Sequence, residues 1–257
     1  MHTYFIMPMG KFLFLDLDDT VFQTARKCAS LKQTIPASYN LAGEPSSYFL
    51  PKQRRLLKTL NEQWQIIPTT ARTQAAYARV NLGIPCTEGA ILNHGATILT
   101  AEGEEDKQWR AQIAAPLSAL SNDLLEIKHT VERYALIQNI EVLVRITTES
   151  ELDYYVEVRH KQADFAQLEH LLQDYIQPLV AESGDFNVYL NSNSLTILPR
   201  CINKAHAVAY RIQILEQEHG EILTMGMGDS LSDAPFMALC DYVMTPKNTQ
   251  LHEQLFA

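Results

Sequence analysis

The sequence predicts an α/β protein in which a doubly wound parallel sheet is interrupted by a second, α+β module. Three observations carry this expectation. Residues 11–20 read KFLFLDLDDT, an apolar strand that runs straight into carboxylates. Strand-like and helix-like stretches alternate from there to about residue 102 and again after Pro199, the pattern of a parallel sheet with crossover helices. Between these parts the rhythm changes to α-β-β-α-β-β. Residues 1–102 and 199–257 would then form one discontinuous domain around an inserted domain at 103–198.

Taken in order, the first strand is a buried one. Residues 22–50 hold Pro36, Gly43, Pro45 and several small polar residues, which predicts a long loop or an irregular helical insert; long loops beside an active strand are often functional. Residues 51–63 should be helical, 64–70 (WQIIPTT) a second strand ending in polar residues, and 72–82 a helix stopped by Gly83. In the inserted module a long helix should run from 107 to about 134, interrupted near Pro116, followed by strands at 140–147 and 152–160. A helix over 162–180 puts Phe165, Leu168, Leu171, Leu172, Tyr175, Ile176 and Leu179 on one broad face at a period near 3.6. Strands at 185–190 and 194–198 complete it. The first domain then resumes with a helix at 203–218, a strand at 222–227, the loop GDSLSD, a short helix and a strand at 242–245. No solenoid-period repeat and no low-complexity tract is present in the 257 residues.

A formal charge of −9 argues against a nucleic-acid or anionic-membrane surface, because those partners need a basic footprint. The one short basic cluster, Lys52, Gln53, Arg54, Arg55, is expected to be the solvated face of a helix. Four widely spaced cysteines, at 28, 86, 201 and 240, form no CxxC pair or Cys/His cluster, so reduced thiols are expected. The apolar start is broken by Pro8, Gly10 and Lys11 and fits neither a signal sequence nor a membrane span. A soluble, cytoplasmic protein is the expectation.

Open α/β sheets bind ligands at the carboxyl ends of their strands, where Asp16 and Asp18 fall. Residues two apart on a strand face the same way. Two like charges 4 Å apart repel by about 4 kcal/mol at an effective dielectric near 20, so a divalent cation or a bound proton must compensate them. Four polar points recur at strand ends or at the start of the next helix: Asp16 with Asp18 and Thr20, Thr70 with Arg72, Lys204, and Asp229 with Asp233.

These residues, as DLDDT (16–20), TTAR (69–72), the lysine of INKAHAV (202–208) and GDSLSD (228–233), resemble the four ordered motifs of the haloacid dehalogenase (HAD) superfamily of aspartate-nucleophile phosphohydrolases. The resemblance spans essentially the whole chain and implies a Rossmann-like core with an inserted cap domain. An αββαββ insert between the second and third motifs resembles a C2-type cap of the B subtype. That subtype includes Cof-like, sucrose-phosphate, trehalose-phosphate and mannosyl-3-phosphoglycerate phosphatases, and ILNHGATIL (91–99) and LTILPRCINK (195–204) resemble its passages into and out of the cap. By this resemblance Asp16 is the nucleophile that forms an aspartyl-phosphate, and Asp18 the general acid and base. Thr70 and Lys204 bind phosphate. Mg²⁺ is held by Asp16, the backbone carbonyl of Asp18 and Asp229, with Asp233 ordering the site from behind. Activity should vanish in EDTA and return with Mg²⁺. Asp19, Ala71, Ser232 and His94 depart from common family forms without removing a reactive group, and the loop after Thr20 is longer than in Cof-like proteins.

A cap of this kind would close over the strand ends, exclude water and contact the leaving group. Its candidate specificity residues are Arg145, Glu157, Arg159, Tyr189, Asn191 and Asn193, polar groups able to bind sugar hydroxyls. Trp64 and Trp109 are expected to be packing residues. The implied function is a Mg²⁺-dependent phosphomonoesterase acting on a small phosphorylated metabolite, with sugar phosphates leading. A phosphotransferase or phosphomutase using the same aspartyl-phosphate, and a non-catalytic phospho-accepting or ligand-binding relative, use the same residues and remain alternatives.

Overall fold

The computed structural model describes residues 9–191 and 194–256, and the chain divides into two compact units: Met1–Arg110 with Asn203–Ala257, and Ala111–Ile202. The first is organised by β1 (Gly10–Leu15). Phe12, Leu13, Phe14 and Leu15 are all fully buried, as expected of a central parallel strand, which has no solvent face.

The segment after β1 is not a loop. It forms β2 (Gln23–Thr24), β3 (Ile35–Tyr39) and β4 (Pro45–Phe49), an antiparallel sheet in the order β2-β4-β3. Asn40 builds the turn between β3 and β4, its Oδ1 accepting from the N–H groups of Ala42 and Glu44 at 2.9 Å each. Pro45 takes the first position of its strand, where a missing N–H is tolerated. Much of the support comes from outside the segment: Asn81 N–H donates to Ala37 O at 2.7 Å, Tyr39 N–H to Arg79 O at 3.1 Å, and Ala37 and Phe49 join the core of Leu13, Leu15 and Leu57. The weak alternation of IPASY and PSSYF does not announce strands that depend on such distant partners.

Next come α1 (Pro51–Asn61) and β5 (Gln65–Pro68), which pairs in parallel with β1. Of the basic cluster on α1, Lys52 and Arg55 are exposed, whereas Arg54 donates to Leu82 O and lies over the Phe49 ring. The helix expected over 72–82 shrinks to α2 (Gln74–Tyr77), capped by Thr73, whose Oγ1 accepts from Ala76 N–H at 3.2 Å. The backbone of Arg79 and Asn81 is committed to β3 and cannot also continue a helix. A short hairpin, β6 (Ala90–Leu92) and β7 (Thr97–Leu99), leads to α3 (Lys107–Ala119). Pro116 lies inside α3, and the helix breaks one turn later, at Leu120.

The second unit continues with α4 (Ser121–Ile137), β8 (Val142–Glu149), β9 (Leu152–His160), α5 (Phe165–Leu171), α6 (Gln177–Ala181), β10 (Phe186–Asn191) and β11 (Ser194–Pro199). Its sheet is antiparallel in the order β10-β11-β9-β8. One face is apolar: Val144, Val156, Val158 and Ile197 cluster with Leu124, Ile127 and Val131 of α4 and Leu168 and Leu171 of α5. Each such side chain contributes about 1.5–3 kcal/mol by leaving water. The single helix expected over 162–180 is split by a π turn at Leu172–Ile176, in which Gln177 N–H reaches back to Leu172 O. Pro178 follows immediately; it has no N–H and its ring crowds the preceding turn, so the register widens there.

The first unit resumes with α7 (Lys204–His219), β12 (Ile222–Met227), α8 (Ala234–Met237), β13 (Tyr242–Met244) and α9 (Gln250–Phe256), the last unannounced by the sequence. Its main sheet is parallel throughout, in the order β13-β12-β1-β5. The chain just beyond β1, β5 and β12 therefore emerges at one edge of the sheet, carrying Asp16, Thr70 and Asp229.

Candidate active site

Asp16 extends β1 by one ladder bond, its N–H donating to Met227 O at 2.8 Å, and Thr69 N–H does the same to Leu15 O at 2.7 Å. The backbone then turns sharply: Asp19 has φ 61° and its N–H donates to Phe22 O at 2.8 Å. This turn brings Thr20 back, so that its Oγ1 lies 2.9 Å from Asp16 Oδ2 and 3.1 Å from Asp229 Oδ1. A hydroxyl has one proton to give, so it serves one carboxylate at a time.

Lys204 is the first residue of α7, whose N-cap is Asn203, with Oδ1 accepting from Ala205 N–H at 2.7 Å. A Cβ on Gly95 (φ 101°) would sit 2.5 Å from Asn203 O, so only glycine lets this loop press against the helix start. So placed, Lys204 Nζ donates to Asp16 Oδ1 and Asp233 Oδ1, both at 2.7 Å. Asp233 uses its other oxygen to accept from Ser230 Oγ (2.8 Å), Ser230 N–H (3.1 Å) and Asp229 N–H (3.3 Å). Both its oxygens are engaged in holding Lys204 and the loop that carries Asp229.

The charges do not balance. Carboxylate oxygens of Asp16, Asp229 and Asp233 lie within 4.8 Å of one another, and among the described residues Lys204 is the one cation hydrogen-bonded to them. Burial holds Asp16 well above the carboxylate range, with Asp233 and Asp229 adding to the rise against the pull of Lys204. Burial, then the charges of Asp233 and Asp19, push Asp229 up to about 7. Burial alone would raise Asp233, but the charge and hydrogen bond of Lys204, with Ser230, hold it below the usual value. Lys204 is held above its ordinary value because Asp16 and Asp233 outweigh its own desolvation. A hard-oxygen cluster with surplus negative charge fits a hard divalent cation such as Mg²⁺.

A pH dependence follows. A carboxyl with a raised folded value favours the metal-free fold at low pH and loses that contribution as pH rises through about 7. A bound divalent cation would supply what the proton no longer does. The rise in Tm produced by Mg²⁺ should therefore be small at pH 5.5 and grow through pH 7 to pH 8, measured by differential scanning fluorimetry; equal shifts at both ends would contradict the cluster's electrostatics.

Asp18 is not one of the three clustered carboxylates. Arg72 grips it with two parallel bonds, Nε to Oδ2 at 2.7 Å and Nη2 to Oδ1 at 2.8 Å, while the guanidinium lies 5.4 Å from the Phe22 ring centroid. Asp19 pairs with Lys27 at 2.6 Å. The sequence named Arg72 without a role; its place two residues after Thr70 was the available signal. Thr70 is buried, and its Oγ1 accepts from Arg72 N–H at 3.2 Å.

No family profile and no curated protein matches the chain. Solved structures do. The C. albicans trehalose-6-phosphate phosphatase C-terminal domain superposes with a TM-score of 0.57 at 16% identity, covering 89% of this chain and 73% of that one. A trehalose-6-phosphate phosphatase related protein gives 0.51 at 16%, covering 93% and 89%. The sucrose-phosphatase from Synechocystis sp. PCC6803, solved with sucrose and phosphate, gives 0.50 at 14%, covering 96% of each. The chain has a haloacid dehalogenase-type fold.

Within this HAD-type fold, Asp16, Thr20, Lys204, Asp229 and Asp233 share one hydrogen-bonded cluster, and Asp18 and Arg72 form a separate pair. Arg145, Glu157 and Arg159 form an ion-paired group on the second unit's sheet. Tyr189 lies on β10, as does Asn191, whose side chain is outside the described residues; Asn193 is outside them altogether. Trp109 packs against Tyr210 and also donates from Nε1 to Gly95 O at 3.0 Å. All four cysteines are free, and among the described residues no helix is long and apolar enough to cross a membrane.

Proposed function

We propose that the protein is a Mg²⁺-dependent phosphomonoesterase that hydrolyses a small phosphorylated metabolite, a sugar phosphate first among them, through an aspartyl-phosphate. The observation that carries this reading is Asp16, buried at a strand end with one oxygen on Lys204 and the other on Thr20. Asp16 would attack phosphorus in line, the P–O bond to the alcohol breaking as the aspartyl bond forms. Lys204 would orient Asp16 and offset charge on the phosphoryl oxygens. The Thr70 hydroxyl and nearby backbone N–H groups would bind those oxygens. Bound Mg²⁺, held by Asp16, the Asp18 carbonyl and Asp229, would neutralise phosphate charge. The likeness to sugar-phosphate phosphatases supports the substrate class, and free thiols suit a reducing cytoplasm.

Asp18 would protonate the departing alcohol and later take a proton from the water that opens the intermediate. The two Arg72 bonds, one to each Asp18 oxygen, fix where that carboxyl points. Arg72→Ala should lower kcat about 10²-fold, the scale of a misplaced catalytic group. Arg72→Lys, which keeps charge but not the fork, should fall between, as steady-state kinetics would show. Unchanged kcat in Arg72→Ala would remove Arg72 from this role.

The reading is tested by incubating the purified protein with Mg²⁺ and a panel of phosphorylated metabolites, sugar phosphates included, and measuring free phosphate. Release from at least one, Mg²⁺-dependent, is expected; a panel silent throughout, with an aryl phosphate also untouched, would overturn it.

A further inference from the structure

The second unit's sheet has a polar face opposite α4 and α5. Register places Arg145, Glu157, Thr196 and Tyr189 side by side across β8, β9, β11 and β10, one residue from each strand. Arg159 and Ser194 are opposite each other in the neighbouring row. Glu157, only 7% exposed, is the centre of this group. Its Oε1 accepts from Arg159 Nε at 2.6 Å and Ser194 Oγ at 3.1 Å, and its Oε2 from Arg145 Nε at 2.7 Å and Arg145 Nη2 at 2.5 Å.

An ionised carboxylate has about four acceptor sites, and four donors fill them here. Glu157 therefore has nothing left to offer a ligand. Toward the described residues each guanidinium keeps most of its five N–H donors, and the arginine side chains are 52% and 54% exposed. One arginine would neutralise Glu157; the second leaves the group with a surplus positive charge. At the two guanidiniums a neutral hydroxyl, both donor and acceptor, would meet donors alone, whereas an anionic oxygen pair matches a guanidinium fork.

We infer that this face binds a small anion, a carboxylate or phosphate group, through Arg145 and Arg159, with Glu157 as the buried bracket that aims them. Two sources share that chemistry: the unreacted end of a doubly charged substrate, and a separate anionic effector.

The binding test uses the intact protein without metal and malonate as probe, followed by calorimetry. Arg159→Gln leaves Glu157 paired with Arg145 and so keeps the fold, but cancels the surplus charge; it should weaken malonate binding at least about tenfold. Arg159→Lys should lose less. Equal binding by wild type and Arg159→Gln, or none by wild type, would overturn the inference. The kinetic arm rests on the phosphatase reading and separates the sources. If KM in Arg159→Gln rises more for phosphate esters that also carry a carboxylate than for an aryl phosphate, the anion belongs to the substrate. If malonate binding is lost and the two KM values keep their ratio, it belongs to an effector. Because the binding arm needs no turnover, its failure and that of the proposed reaction are distinguishable.

Discussion

Asp16→Asn should reduce phosphate release at least about 10⁴-fold, the scale on which removing a covalent nucleophile acts, while unfolding stays cooperative and Tm does not fall. The two halves of this expectation come from the same geometry. Asn has the shape of Asp, so an amide oxygen can still accept from Lys204, 2.7 Å from Oδ1 in the wild type. It has no anionic oxygen to attack phosphorus. It also removes one of three crowded carboxylates, and desolvation with neighbouring negative charge already disfavours an ionised Asp16. Loss of stability together with loss of activity would point to a structural role. Full activity in the Asn variant would refute the nucleophile assignment outright.

Lys204→Met should be damaging in a different way. Lys204 is 6% exposed and is hydrogen-bonded to Asp16 and Asp233. Replacing it by an apolar chain of similar length leaves two buried carboxylates without their cation, a change worth about 3–5 kcal/mol. For a chain of this size that lowers Tm by about 10 °C. The sign with pH can be worked out from Asp233, which Lys204 holds below its usual value. A carboxyl depressed in the fold contributes stability above its unfolded value, near 4, and loses it as pH falls through the lower folded one. The gap between wild type and Lys204→Met should therefore be widest at neutral pH and narrow below about pH 4. A gap that widened on acidification would mean that the ion pairs do not carry the effect. Phosphate release should fall as well, since Asp16 loses its orienting partner.

Much of the core was legible because it depends on local pattern. Four apolar residues ending in DLDDT mark a buried strand and a turn, and β12 followed by GDSLSD repeats that logic with glycine where Asp233 packs: a Cβ on Gly228 would lie 2.5 Å from that of Asp233. What was not legible depends on partners distant in sequence. The strands of the 23–49 segment exchange hydrogen bonds with residues 79–81, and those residues give up a predicted helix in return. The π turn before Pro178 reflects a proline whose neighbours otherwise keep perfect helical spacing. Arg72 could be seen but not assigned, because its partner is 54 positions away. On the second unit's sheet the sequence offered six polar candidates alike; only the register shows that Glu157 is spent on two arginines.

Gly95 has one more implication. Its carbonyl receives the Trp109 indole, and its missing side chain makes room for the backbone of Asn203, while Tyr210 Oη donates to Asp106 at 3.2 Å. The two ends of the gap in the first unit are thus sewn together by that unit's own atoms. Residues 111–202 can therefore change in length or sequence while Asp16, Asp229 and Asp233 keep the places that the first unit's own contacts give them.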